Sequence, residues 1–154
     1  MNPARQKVEE LERQFAEIHQ SSCDFVSNVP TELLYRRGSE ARSTDTCGEQ
    51  ILRCGAAVEQ SFGGLTANLW DDPFEWTLPE TLNTPAKVLE YLQEVDDLRL
   101  HAFLAFSDDS DLCKEIMTPG GPTKILPFLL DTLKRARHHQ QRAFNVFAAL
   151  TPDH

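Results

Sequence analysis

Apolar residues recur every three or four positions through four long stretches of this chain, the spacing that lines them along one face of an α-helix. Val8, Leu11, Phe15, Ile18, Ser22 and Phe25 form the first stripe, so residues 3 to 27 are expected to be helical, with Asn2 as cap and Pro3 at the first helical position. Val29-Pro30 stops that pattern, because proline disfavours a helical residue before it, and residues 31 to 36 have room for one short helical turn. Gly38 to Asp45 is small, polar and aperiodic, and reads as a loop. Thr46 and Glu49 then have the spacing of a capping box, opening a second helix whose stripe is Ile51, Gly55, Val58, Phe62, Leu65 and Leu69. Gly63-Gly64 weakens that helix, and a close neighbour would explain the pair.

From Trp70 to Asn83 aromatics, prolines and acids mix, as in a long loop packed by its own side chains. Thr84-Pro85 repeats the cap-then-proline signature, and Val88, Tyr91, Leu92, Val95, Leu98, Ala102 and Ala105 carry a third helix to about Phe106. Residues 107 to 111 give a turn and cap, and residues 117 to 123 a second connection rich in Pro and Gly. A fourth helix starts near Thr123 and ends near Leu150, with Leu126, Leu130, Leu133, Phe144 and Phe147 on its stripe and Pro127 tolerated in the first turn. Four such patterns, with no strand-like alternation of useful length and no internal repeat, predict an all-α four-helix bundle with long connections. It forms a single domain over residues 1 to 154.

Charge narrows the partners. Fifteen Lys and Arg against 24 Asp and Glu give a net charge of −9, which disfavours binding to a phosphate backbone and argues against nucleic acid. The first twenty residues are charged every few positions, unlike a signal peptide, and no run of about 18 apolar residues could span a bilayer. A cytoplasmic protein without a membrane segment is expected. Cys23, Cys47, Cys54 and Cys113 form no CxxC pair, so reduced thiols are expected in place of a redox motif or zinc ribbon.

A bundle does its chemistry between facing helices, so inward polar side chains are the candidates. His139 follows Leu129, Thr132 and Ala136 in steps of three and four and should point inward, whereas His138 is rotated about 100° away toward Asp131, Lys134, Arg135 and Arg142. Cys54 flanks the second stripe. It reads either as a buried thiol or as a partner of His139 for a soft metal, with His19 or His101 available to complete a site. Arg135, one turn before His139, cannot be a ligand, but beside Cys54 it would lower the thiol pKa. Lys124, Lys134, Arg135, Arg137 and Arg142 make the last helix basic, either as a solvated face or as a site for a carboxylate-bearing molecule. No phosphate loop, HExxH, GxSxG or EF-hand pattern is present, and no catalytic residue is assigned.

Three segments, TCGEQILRCGAAVEQSF at 46 to 62, VLEYLQEVDDLR at 88 to 99 and DLCKEIMTPGGPTKILPFLLDTLKRARHHQQRAF at 111 to 144, resemble the DinB/YfiT-like family of four-helix-bundle metalloenzymes over nearly the whole chain. In that family a second-helix His ahead of a Val-Glu pair joins a His-x3-His on the fourth helix to hold a divalent metal. The resemblance puts Cys54 at the first position, with Arg53 one residue aside, and Arg135 and His139 at the other two. Gln140-Gln141-Arg142 stands where Arg-Gly-Gln is usual. The resemblance therefore implies a DinB-like protein of unassigned reaction, with a degenerate or absent metal site in an interhelical pocket. The alternative is a metal-dependent thiol transferase or hydrolase-like enzyme using Cys54 and His139 with zinc or nickel. A homodimer and a small anionic or thiol-containing ligand are the partners it implies.

Overall fold

The four expected long helices form, and the chemistry at their ends sets where each begins. The computed structural model describes residues 3–37, 45–75 and 79–151; Asn2 and most of the 38 to 45 loop lie outside the described residues. Pro3–Arg5 makes a 3₁₀ turn that leads into α1 (Gln6–Ser27). Among the described residues no local side chain caps α1. The Asp109 carboxylate, from far along the chain, accepts from the Lys7 and Val8 N–H groups at 3.0 to 3.1 Å. A negative charge there also suits the positive end of the helix.

The expected turn after Pro30 is α2 (Thr31–Leu34). Helix α3 (Cys47–Ala67) starts where expected, with Thr46 Oγ1 accepting from Glu49 N–H at 3.1 Å. It ends at Asn68 in the left-handed region, φ 56°, so Leu69 falls beyond the helix and is exposed instead of completing the stripe. Helix α4 (Pro85–Phe103) is capped by Thr84, which accepts from Lys87 N–H at 3.2 Å, and stops three residues before the expected Phe106.

The second connection is where the expectation of an irregular loop fails. Residues Glu115–Thr118 and Gly121–Lys124 form an antiparallel hairpin, β1 and β2, with Ile116 opposite Thr123. Gly121 takes φ 113°, which a side chain rarely adopts, and so permits the tight return. Helix α5 (Ile125–Leu150) follows directly, so Thr123 belongs to a strand.

Helices α3 and α5 share the largest interface, and α4 and α1 close the ring by packing α3 on α4, α4 on α1 and α1 on α5. One end of the shared core is built on Phe15, Phe62 and Phe103, with ring centroids 5.1 to 6.0 Å apart. The other gathers Val26, Leu34, Ile51, Leu52, Val88 and Leu92. On α5 the buried line is Leu129, Thr132, Leu133, Ala136, Gln140 and Ala143, while Leu130, expected on the stripe, is 48% exposed. Gly64 has the close neighbour its sequence suggested: a Cβ there would run into the Trp70 ring. Among the described residues no helix is long and apolar enough to cross a membrane.

Candidate functional site along the α3–α5 seam

Polar residues line the largest helix interface at regular intervals. Gln50 and Ser61 lie three helical turns apart on α3, and each reaches across to α5. His139 is half-buried, and His138 beside it is exposed, as their positions on the helix require. His139 Nδ1 lies 2.8 Å from Gln50 Oε1, so the ring nitrogen donates and the amide oxygen accepts. Burial first, and then the positive charge of His138, Arg53, Arg142 and Arg135, holds the His139 pKa below its ordinary 6.5.

The other end of the seam is a directed chain of hydrogen bonds. Arg135 Nε donates to Asp131 at 3.1 Å and its terminal nitrogen to Ser61 Oγ at 3.4 Å. Ser61 Oγ and Thr132 Oγ1 are 2.7 Å apart, and Thr132 donates to the Phe128 carbonyl at 3.1 Å. A guanidinium only donates and each hydroxyl has one proton, so the chain runs Arg135 to Ser61 to Thr132 to the carbonyl. Ser61 and Thr132 are 1% and 0% exposed, so no water replaces the partner that either hydroxyl loses. Arg142 pairs with Asp45, while Arg53 lies over the Phe74 ring, 3.9 Å from its centroid, and forms no ion pair among the described residues.

Cys54 belongs to a different environment. Its sulfur lies 4.0 Å from Ser22 Oγ on α1, and Ser22 in turn accepts from Gln140 Nε2 at 2.9 Å. It lines a cavity of about 30 Å³, the space of a single water, with Phe15, His19, Ser22, Asp96 and Arg99. His139 is not on that lining. Burial pushes the Cys54 thiol up to about 12, only partly offset by Ser22, and no lowering by Arg135 contributes. The activation of this thiol by Arg135 that the sequence suggested is therefore not built: Arg135 is committed to Asp131 and Ser61.

His19 does share the cavity with Cys54. Its Nε2 is 3.8 Å from Asp96 Oδ2, and the Cys23 sulfur lies 3.7 to 3.8 Å from both ring nitrogens. Arg99, 3% exposed, anchors Asp96 through its Nε at 3.0 Å. Sequence reasoning missed this pair, yet Leu92, Val95, Arg99 and Ala102 step by three and four, so a charge on an apolar stripe was the available signal. His101 is exposed on α4. Of the basic residues on α5, Lys134 and Arg137 lie on the exposed face, the latter reaching Gln14 on α1 at 2.8 Å.

The donor set does not fit the three-ligand divalent site that the resemblance implies. A guanidinium stands at one position and a protonated, inward-turned thiol at another, leaving one imidazole already engaged by Gln50. Among the described residues no group of three His, Cys, Asp or Glu side chains is arranged to hold a metal ion. No family model matches the chain, and no curated protein matches it.

Proposed function

We propose that this chain is a DinB/YfiT-like four-helix bundle in which the metal position is degenerate, and that it acts by binding a small molecule instead of by metal-activated catalysis. The ring of contacts among α1, α4, α3 and α5 and the family-like segments support the fold. One observation carries the functional reading: Arg135, at a ligand position, is held by Asp131 and Ser61 against the seam that His139 also faces. A divalent cation there meets like charge, and its Lewis-acid chemistry has too few ligands to anchor it.

The test is metal content of tag-free protein after incubation with zinc, nickel, iron or manganese, alongside Cys54→Ala and His139→Ala. Substoichiometric metal that is unaffected by either substitution is expected. About one metal per chain, lost in both variants, overturns the reading and restores the thiol-transferase alternative. The homodimer belongs to the same reading, and light scattering that returns the mass of one chain at working concentration removes it.

A further inference from the structure

We propose that the α3–α5 seam binds a small oxyanion, the carboxylate or phosphate group of a soluble small molecule, between the guanidinium groups of Arg53 and Arg135, with His139 as third contact. The proposal rests on the small-molecule reading above and adds to Arg135 and His139 the position of Arg53. Gln50 and Ser61 fix the two ends of the seam, and Arg53, one turn past Gln50, flanks the stretch between them. Arg53 is half-buried and its guanidinium is stacked on Phe74, an arrangement that orders a long side chain before any ligand arrives. Planar guanidinium forks match carboxylate and phosphate oxygens, which lysines do not.

The ion pairs along the seam leave one guanidinium over. Asp131 and Asp45 are taken by Arg135 and Arg142, and Glu49, one turn before Arg53 on α3, forms no ion pair with it. Arg53 is left as a positive charge without a counterion among the described residues, in a protein of net charge −9. His138, Arg53, Arg142 and Arg135 all act on His139 as positive charge, a local field that concentrates small anions.

His139 adds direction. Gln50 Oε1 accepts from Nδ1, so Nε2 of the neutral ring is an acceptor and turns into a donor only by taking a proton. The charged groups around it are His138, Arg135 and Arg142 on its own helix and Arg53 on α3, all of which oppose that proton. An oxyanion seated among them reverses the balance, so binding takes up a proton on Nε2 and tightens as pH falls.

The experiment follows the His139 ring signals by NMR in the intact protein, titrating inorganic phosphate, acetate and chloride at constant ionic strength. Saturable shifts are expected with phosphate or acetate and not with chloride, together with a rise of about one unit or more in the His139 midpoint. Response to phosphate alone assigns a phosphate group, and response to acetate a carboxylate. Arg53→Gln should weaken binding at least tenfold and Arg53→Lys by an intermediate factor, with Arg135→Gln as the second variant if Arg53→Gln misfolds. Shifts no larger than those of chloride, or affinity unchanged in a folded Arg53→Gln protein, overturn the proposal. Stoichiometric zinc in the same preparation refutes the metal-free reading alone, because the phosphate arm is scored without metal.

Discussion

Replacing Thr132 by Val removes one hydroxyl from the core while keeping shape, and the bond directions on the seam fix what that does. Ser61 loses the acceptor for its only proton, and at 1% exposure it finds no water in exchange. A buried donor left without a partner costs about 1–3 kcal/mol, so Thr132→Val should destabilise by about 2 kcal/mol. Ser61→Ala in the parent leaves Thr132 its bond to the Phe128 carbonyl and leaves Arg135 its bond to Asp131, so about 0.5–1.5 kcal/mol is expected. In the Thr132→Val background the same substitution deletes the stranded hydroxyl. It should then be neutral or stabilising, a reversal of sign with a coupling of about 1–2 kcal/mol. Urea unfolding of the four proteins measures it: with a slope of about 2 kcal/mol per molar, Thr132→Val lowers the midpoint by roughly 1 M. Additivity within about 0.5 kcal/mol would show that the two hydroxyls act independently and that the directed chain is not formed.

Three further outcomes test other parts of the structure. Iodoacetamide at pH 8 should label exposed Cys113 first and half-buried Cys23 more slowly, and should leave Cys47 and Cys54, whose burial lifts them to about 11 and 12, unmodified until unfolding; early Cys54 labelling in peptide mass spectra would contradict its burial. Gly63→Ala has only ordinary contact at 3.4 Å and should stabilise α3 by about 0.5–1 kcal/mol, whereas Gly64→Ala drives a methyl into Trp70 and should cost about 1 kcal/mol net with a red-shifted tryptophan emission; equal effects at the two positions would count against the close approach. The lowered His139 pKa means that the unfolded chain binds its proton first as pH falls, so this group's contribution is full above the ordinary value of 6.5 and is lost below it. His139→Gln should flatten the stability profile in that acidic window, and an unchanged slope would exclude His139 as its source.

Helix starts were readable because they depend on a few adjacent residues: Thr46 and Thr84 cap their own helices. The hairpin was not readable, since two strands of four residues joined through Pro119-Gly120 are too short for alternation to emerge from a stretch rich in turn formers. Helical phase placed His139 inward and His138 outward correctly. It could not say which residue His139 would meet, because that depends on the register of α3 against α5, and the answer was Gln50. Phase also left two offset faces of α5 open, and burial of Leu129 and Leu133 chose between them, leaving Leu130 outside.

The remote cap on α1 has a consequence for the order in which the protein is built. During synthesis α1 emerges without a local side chain among the described residues to close its N-terminus, and its apolar stripe is covered by α4 and α5 and, through Phe62 and Cys54, by α3. Asp109 follows Lys7 by 102 residues, so α1 is made well before the carboxylate that secures its start. Until α4, Asp109 and α5 are made, part of that face stays uncovered, and α1 is a natural substrate for chaperones that hold apolar stretches.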